Sequence, residues 1–137
     1  MNTIHSLENI GGNLITNQYY KWNDKNTMID LKEEDYNIEI TDSNTIKLTF
    51  PLGLNGIVSN IHSFKKNNKI NLKNVIDIIN EYYNNEITKE EKDILNEQTD
   101  EDLSIYSLRI DLLDYSNLCF FQGMEEYQGV YNILLGS

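Results

Sequence analysis

At 137 residues the chain has single-domain length, enough to bury one hydrophobic core. A formal net charge of -11 and a pI of about 4.4 argue against general binding to nucleic acid or to anionic membranes. The single cysteine, Cys119, excludes an intramolecular disulfide and fits a reducing compartment; no charged-then-apolar leader and no bilayer-length apolar run is present. Alanine is absent, Arg109 is the lone arginine, Pro51 is the lone proline, and Asn, Ile, Lys and Tyr are in excess, a bias toward AT-rich codons.

Residues 1–18 have weak periodicity and a Gly11-Gly12 break, and read as an N-terminal arm, mobile or docked on a partner. Residues 19–137 read as one domain. Tyr19-Tyr20-Lys21-Trp22 is an aromatic cluster fit for a short strand, with Met28–Leu31 pairing back onto it. Ile38 and Ile40, then Ile46, Leu48 and Phe50, alternate with polar residues, which predicts a hairpin turning at Asp42-Ser43-Asn44 and facing Glu39 with Lys47. Pro51 ends that strand, and Ile57–Phe64 is a candidate third one.

Between Ile70 and Glu97 the period changes. Leu72, Val75, Ile76, Ile79 and Tyr83 recur at three- and four-residue steps, the spacing of one helix face, with Asn71 as N-cap and Asn84-Asn85 at the end. Thr88-Lys89-Glu90-Glu91 has the form of a capping box and opens a second helix with Ile94 and Leu95 as its buried edge. From Ile105 the period returns to two: Tyr106, Leu108, Ile110 and Leu112 point one way, Ser107, Arg109 and Asp111 the other. Leu118–Phe121 reads as an interior strand ended by Gly123, Met124–Gln128 as a loop and Gly129–Leu135 as a last strand. The expected fold is α+β, an antiparallel sheet packed on a central two-helix hairpin, in the order β-β-β-α-α-β-β-β.

Chemistry is hard to find in this pattern. His5, His62 and Cys119 are isolated, no phosphate-binding glycine loop or Gly-x-Ser-x-Gly elbow occurs, and Asp100-Glu101-Asp102 lacks the alternation of a calcium loop, so neither cofactor nor metal is expected. Lys65, Lys66, Lys69 and Lys73 form the one basic cluster and read as a solvated loop. Arg109 is either half of a structural ion pair or an anchor for an acidic partner group; Tyr19, Tyr20 and Trp22 are either core residues or an interaction hot spot.

Phe120-Phe121-Gln122-Gly123, Gly129-Val130-Tyr131 and Leu135-Gly136-Ser137, together with Asn71–Ile76, Tyr82-Tyr83 and Ile87–Glu91, resemble small domains encoded by large nucleocytoplasmic DNA viruses and by protists. The resemblance spans roughly residues 48–137, and its motifs are mainly structural. It implies a host-cytoplasm or virion setting but carries no assigned activity. The leading expectation is therefore a non-enzymatic interaction or structural module with a protein partner or self-association, with Tyr19, Tyr20, Trp22 and Arg109 as its candidate residues. The alternative is a small hydrolase or transferase using acid and histidine chemistry, and a third reading is an acidic mimic of nucleic acid.

Overall fold

The computed structural model describes residues 10–54, 56–100 and 102–137. Among these the chain forms β1 (Ile10–Asn13), β2 (Gln18–Trp22), β3 (Met28–Asp30), a 3-10 turn (Asp35–Asn37), β4 (Thr45–Thr49), β5 (His62–Lys65), α1 (Leu72–Tyr83), α2 (Lys89–Gln98), α3 (Arg109–Ser116), β6 (Phe120–Tyr127) and β7 (Val130–Gly136). The strands make one sheet in the order β3-β2-β1-β6-β7-β4-β5. Every neighbouring pair is antiparallel except β4 and β7, which run parallel over Lys47–Thr49 and Val130–Asn132. The α+β class holds, with seven strands and three helices in place of the expected six and two.

Helix α1 follows directly from its sequence. Leu72, Val75, Ile76, Ile79 and Tyr83 are all buried, and Asn71 and Asn74 cap each other reciprocally at its start. Its stripe meets the inward residues of the sheet, among them Ile46, Leu48, Phe121, Tyr131 and Ile133, in the main core. Burying an aliphatic side chain of this kind stabilises by roughly 1.5–3 kcal/mol, so this layer dominates the fold. Helix α2 starts with the predicted box: the Glu91 amide donates to Thr88 Oγ1 at 3.1 Å and the Thr88 amide to Glu91 Oε1 at 2.9 Å. Of the two expected helices only α1 backs the main core, where Leu113 of α3 joins it. Leu95 of α2 and Leu112 of α3 instead close a second core with Leu52, Leu54, Ile57 and Ile87, so the expected two-helix layer is divided between two clusters.

The other departures have local causes. The expected arm does not extend to residue 18: Ile10–Asn13 form β1, flanked by β2 and β6, and residues 1–9, His5 included, lie outside the described residues. Glycines serve there because Tyr19 and Tyr20 lie across them. A Cβ on Gly11 would come within 2.9 Å of the Tyr20 ring, and one on Gly12 would overlap the Tyr19 ring. Ile38–Thr41 does not pair with β4; the Ile40 amide donates to the Ile70 carbonyl at 2.9 Å, and Glu39 meets Lys69 at 3.5 Å instead of Lys47. The partners of β4 are β5 and β7. The predicted strand from Ile105 becomes α3. Asp111 Oδ2 accepts the Leu108 amide at 3.1 Å, and Asn117 adopts the left-handed conformation (φ 57°) that closes the helix. Gly123 does not end β6, which continues past a bulge to Tyr127 and turns at Gln128-Gly129, both with positive φ as a two-residue hairpin requires.

Candidate functional site

Two places in the fold gather the residues singled out by sequence. The first lies where the three helices meet. Tyr82 lies in the last turn of α1, Glu91 occupies the first turn of α2, and Arg109 opens α3. Arg109, 8% exposed, is not on the wet face of a strand beside Asp111. Its Nε donates to Glu91 Oε1 at 2.8 Å, a terminal nitrogen donates to the Tyr82 carbonyl at 2.8 Å, and its Cζ sits 3.8 Å from the Tyr82 ring centroid. Phe50 stacks on the same ring at 3.7 Å with an 11° tilt, so ring and guanidinium occupy opposite faces of Tyr82. The Tyr82 hydroxyl donates to Glu91 Oε2.

The charge states follow. Burial opposes ionisation of Glu91, but the hydrogen bonds from Tyr82, the Thr88 amide and Arg109 outweigh it and hold the carboxyl below its ordinary value. Burial, reinforced by the Glu91 carboxylate, pushes the Tyr82 phenol well up, so it stays a neutral donor. His62 on β5 stands edge-on to the Tyr82 ring at 5.4 Å and lines two adjoining clefts, of about 400 and 340 Å³; Glu91 lines the smaller one. The acid-and-histidine alternative requires a carboxylate able to exchange a proton near neutrality. Glu91 is instead fixed as an anion, and both its oxygens already accept structural hydrogen bonds. The node joins helices. Neither Tyr82 nor Glu91 was singled out as a partner of Arg109; the capping box and the Tyr82-Tyr83 pair were the signals that could have found them.

The second place is β2. Strand alternation splits the aromatic cluster. Tyr19 turns toward α1, is buried, and its hydroxyl meets Asn80 Oδ1 at 2.5 Å. Burial pushes its phenol up to about 12. Tyr20 and Trp22 turn to the opposite face, where their rings meet edge-to-face at 5.6 Å and 78°. Register places Met28, Phe120, Val130, Leu134 and Tyr127 on that same side, with Trp22, Met28 and Tyr127 at 41, 55 and 69% exposure. The sheet residues that pack in the main core belong to the other side, and none of the described helices packs here.

Of the basic cluster, Lys69 pairs with Glu39, and Lys73 pairs with Asp77 at 2.8 Å. Cys119 is buried and unbridged. Among the described residues, no helix is long and apolar enough to cross a membrane, and no three His, Cys, Asp or Glu side chains converge on a metal position. No protein-family model matches the chain, and neither a curated protein nor a solved structure shows a similarity to it.

Proposed function

We propose that the protein is a non-enzymatic interaction module that binds a protein partner through the face of its sheet opposite the main core. The observation that carries this reading is the aromatic and apolar band on that face, led by Tyr20, Trp22 and Met28. Tyrosine and tryptophan supply large contact areas at low entropic cost, and an exposed apolar band is where partners dock. With a net charge of -11, two copies repel one another, so the occupant is a different protein with a basic rim around an apolar centre. The virion or host-cytoplasm setting belongs to the same proposal.

The test is comparative. Wild-type protein and the variants Trp22→Ser and Tyr20→Ser are immobilised, and capture is measured at low and high salt, with the oligomeric state followed by sedimentation. Expected is a monomer that captures a basic protein, with capture reduced at least about tenfold by Trp22→Ser and weakened by salt. Capture that survives both variants, or dimerisation through the same face, would overturn the reading.

A further inference from the structure

On the helix side of the sheet, away from the Tyr20–Trp22 band, a cleft of about 440 Å³ opens between α1, the 3-10 turn and the start of β2. Its volume is that of a small-ligand site. Lys73, Ile76, Asp77 and Asn80, spaced at three and four residues along α1, form one wall; Glu33 and Tyr36 form the opposite one. Ile76 and Tyr19 are the buried residues of the lining.

Its polar groups are set in advance. The Tyr19 phenol is neutral over the ordinary pH range and so donates to Asn80 Oδ1 at 2.5 Å. That bond fixes which side of the amide is the acceptor. It leaves the Asn80 amide nitrogen, which donates to no other described group, for the cleft. Glu33 takes part in none of the ion pairs among the described residues, while Lys73, the one cation of the lining, is held by Asp77 at 2.8 Å. Two tyrosine rings, an uncompensated carboxylate and a negative molecular field favour a cation. The oriented amide adds a donor for a neighbouring acceptor.

We infer that this cleft binds an amino-acid-sized cation, an ammonium or guanidinium group carried beside a carbonyl. The cation lies against the Tyr36 ring and the Glu33 carboxylate, and the carbonyl accepts from the Asn80 amide. The same chemistry is supplied by a free basic amino-acid derivative or by an arginine or lysine side chain within a peptide.

The experiment is a titration of the full chain, read by amide chemical shifts and calorimetry. The probes are arginine amide, lysine amide, a capped arginine-containing hexapeptide, and, as uncharged controls, N-acetylglutamine amide and glucose. Expected is saturable binding of the cationic probes alone, with shifts at Tyr36 and Asn80. Glu33→Gln and Tyr36→Leu each weaken it about fivefold or more, Trp22→Ser leaves it unchanged, and raising salt from about 0.05 to about 0.5 M weakens it further. Tighter binding of the hexapeptide identifies a peptide side chain as the source, and tighter binding of the amides identifies a free amine. The isosteric change at exposed Glu33 leaves the fold intact, so three outcomes would each overturn the assignment. These are equal binding of N-acetylglutamine amide or glucose, absence of saturable shifts, and unchanged affinity in Glu33→Gln.

Discussion

Replacing Arg109 by Met should damage stability more than any surface change. The side chains of Arg109 and Glu91 are 9 and 5% exposed, so the carboxylate left behind is shielded from water. Removing one partner of a buried ion pair costs about 3–5 kcal/mol, because the remaining charge stays desolvated. Here the Tyr82 carbonyl also loses a donor and the Tyr82 ring loses the cation on one face. Against a total stability of roughly 5–15 kcal/mol this is a large fraction, equivalent to a fall in Tm of about 10–15 °C. Urea unfolding followed by far-ultraviolet circular dichroism measures it directly. Adding Glu91→Gln to Arg109→Met removes the orphaned charge while keeping an acceptor for the Thr88 amide, and should restore about 1–2 kcal/mol. The pH dependence gives an independent check. Because the folded state holds Glu91 below its ordinary value of 4.5, its contribution is complete above that value and is lost as pH falls through the folded pKa. The acid limb of the stability curve should therefore be shallower in Glu91→Gln. A loss below about 1 kcal/mol in Arg109→Met, or no recovery in the double variant, would refute the account of the node.

Gly12→Ala should cost about 1–3 kcal/mol in denaturant unfolding, since the methyl group overlaps a Tyr19 ring that Asn80 holds in place. An unchanged midpoint would mean that the ring yields freely. Thr88→Ala removes the oxygen that accepts the Glu91 amide and should cost about 1 kcal/mol in the same assay, with Thr88→Ser retaining most of it. At alkaline pH the direction is the opposite of the acid limb. Tyr19 is raised from 10.0 to about 12 in the folded chain, so its contribution is present below pH 10 and is lost as pH rises from 10 toward 12. Tyr19→Phe should flatten that part of the curve, and a slope equal to wild type would count against the buried phenol.

What the sequence disclosed about the fold depended on whether a segment's signal was local. Asn71 and the Leu72–Tyr83 stripe, the Thr88–Glu91 box, and the β2–β3 pairing are all set by neighbours within a few residues, and all were legible. β1 was not, because Gly11-Gly12 looks like a break until Tyr20 and Tyr19 are laid across it. α3 was misassigned for a different reason. Across the N-cap and first turn of an eight-residue helix, Leu108, Ile110 and Leu112 satisfy a period of two, while Leu112 and Leu113 face different clusters. Ile38–Thr41 alternates like a strand, yet its partner is the segment leading into α1, an arrangement no local pattern encodes.

The candidate residues divide along the same line. Tyr19, Tyr20 and Trp22 were grouped because they adjoin in sequence, but strand geometry assigns Tyr19 to packing and the other two to the open face. Arg109 was singled out because a chain rich in lysine spends one arginine there, and the geometry explains the choice. A lysine could neutralise Glu91, but it could not also lie flat on Tyr82 while donating in plane to the Tyr82 carbonyl. The planar fork closes three helices with one side chain. The lone guanidinium thus belongs to the scaffold, and the recognition proposed for this protein rests on the aromatic face of the sheet and on the acidic cleft behind it.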